Sequence, residues 1–201
     1  MRLVVFFGVA LMALSGPAAG YDADSQAVID RFKPGKLVPI ADVGVLMMGA
    51  ERWCYNQQGS ECAWSDIYLW VEGDRVGYEL SNPWSEGVDI SFVDEAEFRD
   101  GRYICETGFD WLPSVRAFVR GDGMAIEGRD LAALKAEIAT MADIGGAGDC
   151  FDYLYRGHDA EAQTVTLLQR QFVGGVHEPV NDAEVTLHFD KAKADGLGWY
   201  L

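Results

Sequence analysis

The chain has 201 residues, 16 of them basic and 32 acidic, for a formal net charge of −16 at pH 7. That surplus of carboxylates argues against nucleic acid and anionic membrane surfaces as partners, because phosphates need Lys and Arg to neutralise them. Apolar residues make up 49% and aromatics 12%, which excludes a disordered chain and suits a single folded domain.

Met1-Arg2, the apolar run Leu3 to Leu14 and the small-residue zone Ser15-Gly16-Pro17-Ala18-Ala19-Gly20 have the build of a secretory signal peptide. A membrane-spanning helix needs about 20 apolar residues, and Gly16-Pro17 interrupts the run before that. Cleavage after Gly20 is expected to release residues 21–201 as one domain. The leader carries Arg2 and no acid, so the mature charge becomes −17. No cysteine near the junction offers a lipid anchor. The expectation is a periplasmic or secreted protein with no stable membrane anchor, whose charge would attract a basic protein over a Debye length of about 10 Å.

The cysteines are Cys54, Cys62, Cys105 and Cys150. An even number behind an export signal reads as two disulfides. No C-x-x-C pair occurs and the spacings do not resemble a zinc knuckle. Of three possible connectivities, Cys54–Cys62 with Cys105–Cys150 is favoured. The first closes the polar loop Asn56-Gln57-Gln58-Gly59-Ser60, and the second ties the two halves of the chain.

In chain order, Asp24-Ser25 followed by Val28, Ile29 and Phe32 predicts a short capped helix that stops at Pro34-Gly35. Lys36 to Ala41 should be extended. Val43 to Met48 fits a buried strand or a helical turn, and its length does not decide. Met47-Met48 read as core filler and not as soft-metal ligands. Arg52 to Glu106 organises the rest. Ile67 to Glu72 and Arg75 to Leu80 flank Gly73-Asp74, a two-residue hairpin loop. Ile67, Leu69 and Val71 share one face, and Tyr68 and Trp70 the other. Asn82-Pro83 should break the run. Val88, Ile90 and Phe92 alternate with polar residues, and Asp100-Gly101 turns the chain into Tyr103 to Glu106. Val115 to Arg120 and Met124 to Glu127 form a further hairpin around Gly121-Asp122-Gly123.

From Arg129 the period changes: Leu131, Leu134, Ile138 and Met141 fall on one helical stripe, with Asp130 as the expected cap. Ala132, Ala133, Ala136 and Ala139 add helix propensity. Cys150 to Arg156, Gln163 to Val173, Ala183 to Asp190 and Leu197 to Leu201 read as strands. The fold expected is mainly β (α+β): an antiparallel meander of about nine strands forming a sandwich or a partly closed barrel. A helix at about 130–142 packs on it, and a short helix precedes it.

Motifs for chemistry are scarce. Gly145-Gly146-Ala147-Gly148 follows a helix where a phosphate loop must precede one, and it lacks the Lys-Ser/Thr of a P-loop. Asp94-Glu95-Glu97, Asp122 and Asp149/Asp152 form no EF-hand and read as solvated loop charges. His158, His177 and His188 form no metal motif and read as surface histidines. Neither G-x-S-x-G nor S-x-x-K occurs. No catalytic, metal or cofactor residue is therefore assigned, and no cofactor is expected. Trp53, Tyr55, Trp64, Trp84 and Trp111 sit in or beside turns. Trp53 and Trp64 suit the core, whereas Trp84 and Trp111 are candidates for a binding surface. The function expected is an exported binding or interaction protein with a basic partner. The alternative is a small extracytoplasmic hydrolase using carboxylates or a His–acid pair, and a structural envelope component is a third reading.

Overall fold

The computed structural model describes residues 20–108, 111–141 and 148–201. Nearly all of the expected leader, residues 145–147 of the glycine-rich loop and the last residue of the expected 130–142 helix lie outside the described residues.

Two helices come first. α1 (Ala23–Ile29) is capped by Asp22, whose carboxylate accepts the N–H groups of Asp24 and Ser25 at 3.0 Å each. The cap is thus upstream of the expected Asp24-Ser25. α2 (Ile40–Gly49) resolves the ambiguous apolar run as helix, with Val43, Leu46 and Met47 fully buried. It starts two residues inside the stretch expected to be extended, directly after Pro39, which presets a helix start.

The strands are β1 (Arg52–Tyr55), β2 (Glu61–Cys62), β3 (Trp64–Glu72), β4 (Arg75–Ser85), β5 (Val88–Arg99), β6 (Tyr103–Glu106), β7 (Arg116–Val119) and β8 (Ala125–Ile126). After α3 (Gly128–Met141) come β9 (Cys150–Asp159), β10 (Thr164–Val173), β11 (Val176–His177), β12 (Ala183–His188), α4 (Lys191–Asp195) and β13 (Gly198–Trp199). Four of the thirteen described strands have two residues: β8 and β13 fall within the expected Met124 to Glu127 and Leu197 to Leu201, whereas β2 and β11 are too short for any periodicity to reveal. The hairpins at Gly73-Asp74 and Gly121-Asp122-Gly123 form as expected.

Eight strands pair antiparallel in the order β4-β3-β1-β12-β10-β9-β6-β5, and β4 also pairs with β5. The sheet therefore rolls up on itself. Its seam is thin, because β6 meets β9 only through Ile104↔Phe151 and Cys105↔Cys150. The result is a rolled sheet rather than a closed barrel, and it is one sheet rather than the two of a sandwich. Inward residues from all eight strands share one core, including Trp53, Tyr68, Val76, Ala96, Ile104, Tyr153, Leu167 and Leu187. α2 covers one end of the roll: Ile40 N–H bonds Gly101 O at 3.2 Å, and Gly44 rests against Phe98 and Val71.

A minor core forms where β5 and β7 extend past the roll and α3 lies on them, with Ile90, Val115, Ala117 and Ile138 buried. Leu131 and Leu134 pack there as the stripe required, but Met141 is 69% exposed. Asp130 stands in the first turn of α3 and is not its cap.

Several expectations fail for local reasons. Pro83 does not end β4. The strand runs on to Ser85 through an irregularity between Pro83 and Ser85, which lets the ladder absorb a residue lacking an N–H. Asp94, Glu95 and Glu97 lie within β5, not in a loop, and Asp94 is buried. A bulge between Tyr68 and Trp70 shifts the β3 period, leaving Leu69 44% exposed while Tyr68 is buried. The strand expected up to Asp190 ends at His188, because Asp190 caps α4 by accepting Lys193 N–H at 3.0 Å.

Both favoured disulfides are present, Cys54–Cys62 and Cys105–Cys150. They suit an oxidising, extracytoplasmic compartment. Among the described residues no helix is long and apolar enough to cross a membrane. The 45-residue span of Cys105–Cys150 crosses the seam, whereas Cys54–Cys62 spans 8. On the loop-entropy model, Cys105→Ala with Cys150→Ala should lower the unfolding free energy by about 4 kcal/mol, and Cys54→Ala with Cys62→Ala by about 2.5. Urea denaturation checks both, and a larger loss from the short loop would reverse the expected order.

Candidate functional site

At the end of the roll away from α2, the inward side chains leave a cavity of about 240 Å³. Asp66 is its central feature. The pairings Trp53↔Asp66 and Asp66↔Leu80 place it on the same face as those core residues, so the alternation of β3 carries a carboxyl group inward. It is 5% exposed. Its Oδ2 accepts the Tyr55 hydroxyl at 2.7 Å, while Oδ1 is buried with no hydrogen-bond partner among the described residues. Burial pushes the Asp66 carboxyl up to about 7, against the pull of the Tyr55 hydrogen bond.

Around it stand phenols. Tyr55 is stacked on Trp64 with ring centroids 4.8 Å apart and planes at 12°. Tyr68 packs edge-on against Trp53 and tilted against Tyr78. Tyr153 accepts the Gln169 Nε2–H bond at 3.0 Å. Burial holds the hydroxyls of Tyr55, Tyr68, Tyr78 and Tyr153 above their ordinary range, so they stay neutral donors at physiological pH.

The rim is acidic. Glu106 ends β6, and burial raises its pKa although its Oε2 accepts the Asp149 N–H at 3.2 Å. Gly148 allows the chain to pass this close, because a β-carbon there would collide with the Glu106 carbonyl. Asp149 bonds Gln171, and Asn181 completes the rim. None of the described residues lining the cavity is Lys, Arg or His.

This arrangement sets a buried, half-satisfied carboxyl group beside a space walled by aromatic rings, which can cover the apolar part of a small molecule. A carboxyl group titrating near neutrality can also exchange a proton with a bound molecule.

Trp84 and Trp111 are elsewhere. Both pack, partly buried, against the minor core. Trp84 donates its indole N–H to Glu137 at 3.3 Å, and Trp111 stacks on Phe92 at 4.3 Å. Trp53 is fully buried, while Trp64 lines the cavity. The histidines are not all superficial. His188 is buried and bonds Gln57 Oε1 at 2.9 Å, His177 pairs with Asp182 at 2.8 Å, and His158 meets the Tyr155 hydroxyl at 2.6 Å. Asp152 is fully buried between Arg102 and Arg170. Among the described residues, no three His, Cys, Asp or Glu side chains gather closely enough to hold a metal ion. Sequence reasoning missed Asp66, whose only signal was an acid set among Trp64, Ile67 and Tyr68 in a strand apolar on both faces.

Compared with known proteins, the chain matches no protein-family model, no curated protein and no solved structure.

An acid whose pKa is raised on folding stabilises the fold at low pH and loses that contribution as pH climbs toward its folded value. At about 1.4 kcal/mol per pH unit, Asp66 should cost the native state about 3 kcal/mol between pH 5 and pH 8. Glu106 and Asp89, also raised by burial, act in the same direction, and His188, lowered by burial, acts in the opposite one. The difference between the native protein and Asp66→Asn isolates the group. Urea denaturation of both at the two pH values should show Asp66→Asn less pH-dependent; parallel profiles would mean that Asp66 is ionised and hydrated throughout.

Proposed function

We propose that this is an exported binding protein that takes a small molecule into the open end of its rolled sheet. The observation that carries the reading is Asp66: a buried carboxyl group, half satisfied by Tyr55, lining a cavity walled by aromatic rings. A protein interior rarely leaves such an oxygen without a partner, and a ligand donor is the economical one. Rolled and barrel-like sheets commonly place ligand sites at their mouths.

Export rests on the leader-like N-terminus and the two disulfides. Tyr21, the residue that cleavage after Gly20 would make N-terminal, is anchored, its hydroxyl donating to Asp159 O at 3.0 Å and Thr164 O at 2.9 Å. A basic protein partner remains consistent with the net charge of −16, and the exposed edges of Trp84 and Trp111 would lie on such a surface. That role has less behind it than the cavity.

The second reading, a hydrolase, draws on the Asp66 pKa of about 7, which suits a general acid or base. The His177–Asp182 pair does not join it, since neither residue lines the cavity.

Protein purified from its own source in gentle conditions should release a small molecule in near-stoichiometric amount on denaturation, identified by mass spectrometry. Asn181→Trp, a substitution at an exposed rim position, should reduce that yield at least fivefold. Equal retention by the variant would remove the cavity as the binding site.

A further inference from the structure

The chemistry of the cavity narrows what it would hold. Its described lining offers three acids, Asp66, Glu106 and Asp149, and no cationic side chain to neutralise them. Arg102 and Arg170 are committed elsewhere, both bonding the buried Asp152, which is not among the lining residues. Asp66 Oδ1, buried and unpartnered, is an acceptor seeking a donor. The walls are ring faces and edges of Tyr and Trp, whose quadrupoles attract positive charge. Carboxylates beside aromatic ring faces, with no cation among the described lining residues to neutralise them, suit a cation better than an anion.

We propose that the cavity binds a small protonated amine, held by the carboxyl groups of Asp66, Glu106 and Asp149 that line it, with its apolar body against the rings of Tyr55, Trp64 and Tyr153. This rests on the reading of the cavity as a ligand site and adds the ligand class. At about 240 Å³ the space has room for an amine with a short alkyl or single-ring body. The acidic rim at Glu106 and Asp149 would draw the cation in before Asp66 receives it.

The test uses the mature protein and matched probes: butylamine, cyclohexylamine and benzylamine against butanol, cyclohexanol and benzyl alcohol, titrated by NMR at pH 7.5 in 150 mM salt. The amines should bind at least tenfold more tightly than the alcohols. Asp66→Asn should erase that preference, and Asn181→Trp should weaken both series. Alcohols binding as well as amines, with Asn181→Trp weakening both, would overturn the amine class while leaving the cavity as a ligand site. Amines binding equally to the native protein and both variants would show only adventitious association with an acidic surface and would overturn both readings. No binding by any probe would also overturn the proposal. Asn181→Trp keeps the interior intact, so the test holds even where Asp66→Asn disturbs folding.

Discussion

Taking a carboxyl group out of water is costly unless polar groups replace its hydration, and inside the rolled sheet Asp66 receives one such replacement, the Tyr55 hydroxyl at 2.7 Å. The rest of the site follows from that deficit. Tyr55 is fixed by stacking on Trp64, so its hydroxyl has little freedom to serve both carboxyl oxygens. The other phenols are held by their own packing and by Gln169. One acceptor is left without a partner in a residue that lines a space large enough for a small molecule. A core optimised for stability alone would carry Leu or Val at this position, so the acid there costs stability that apolar packing would supply.

The cavity depends equally on how the sheet is closed. α2 covers one end with apolar side chains, leaving the opposite end open. The β6–β9 seam beside that open end has only two residue pairs, one of them the Cys105–Cys150 disulfide. A covalent bond thus stands at the shortest of the pairings that make up the roll, next to Glu106 and Asp149 at the rim. Oxidation would fix the geometry of the mouth as well as the stability of the chain.

Much of this architecture was legible in the residues. The hairpins declared themselves through Gly73-Asp74 and Gly121-Asp122-Gly123, the helix α3 through the Leu131, Leu134 and Ile138 stripe, and the disulfides through loop logic. What escaped were features set by tertiary context. A bulge at Leu69 changed which face of β3 turned inward, and no single-strand period reports a bulge. Pro83 was tolerated in β4 because the ladder slips beside it. The site itself was nearly invisible, since Asp66, Glu106 and Gln169 come from three strands and converge only when the sheet rolls. The tryptophans drew attention in sequence because of their size, yet Trp84 and Trp111 pack on the minor core while Trp64 lines the cavity.

The ionisation of Asp66 is the most direct probe of the site, because its burial is what lifts the carboxyl toward neutrality. Carbon-13 NMR of the Asp66 side-chain carboxyl, followed across pH in the ligand-free protein, should give a midpoint of about 7. A midpoint near 4, the ordinary value for a hydrated aspartate, would show an open, water-filled position and would contradict the site.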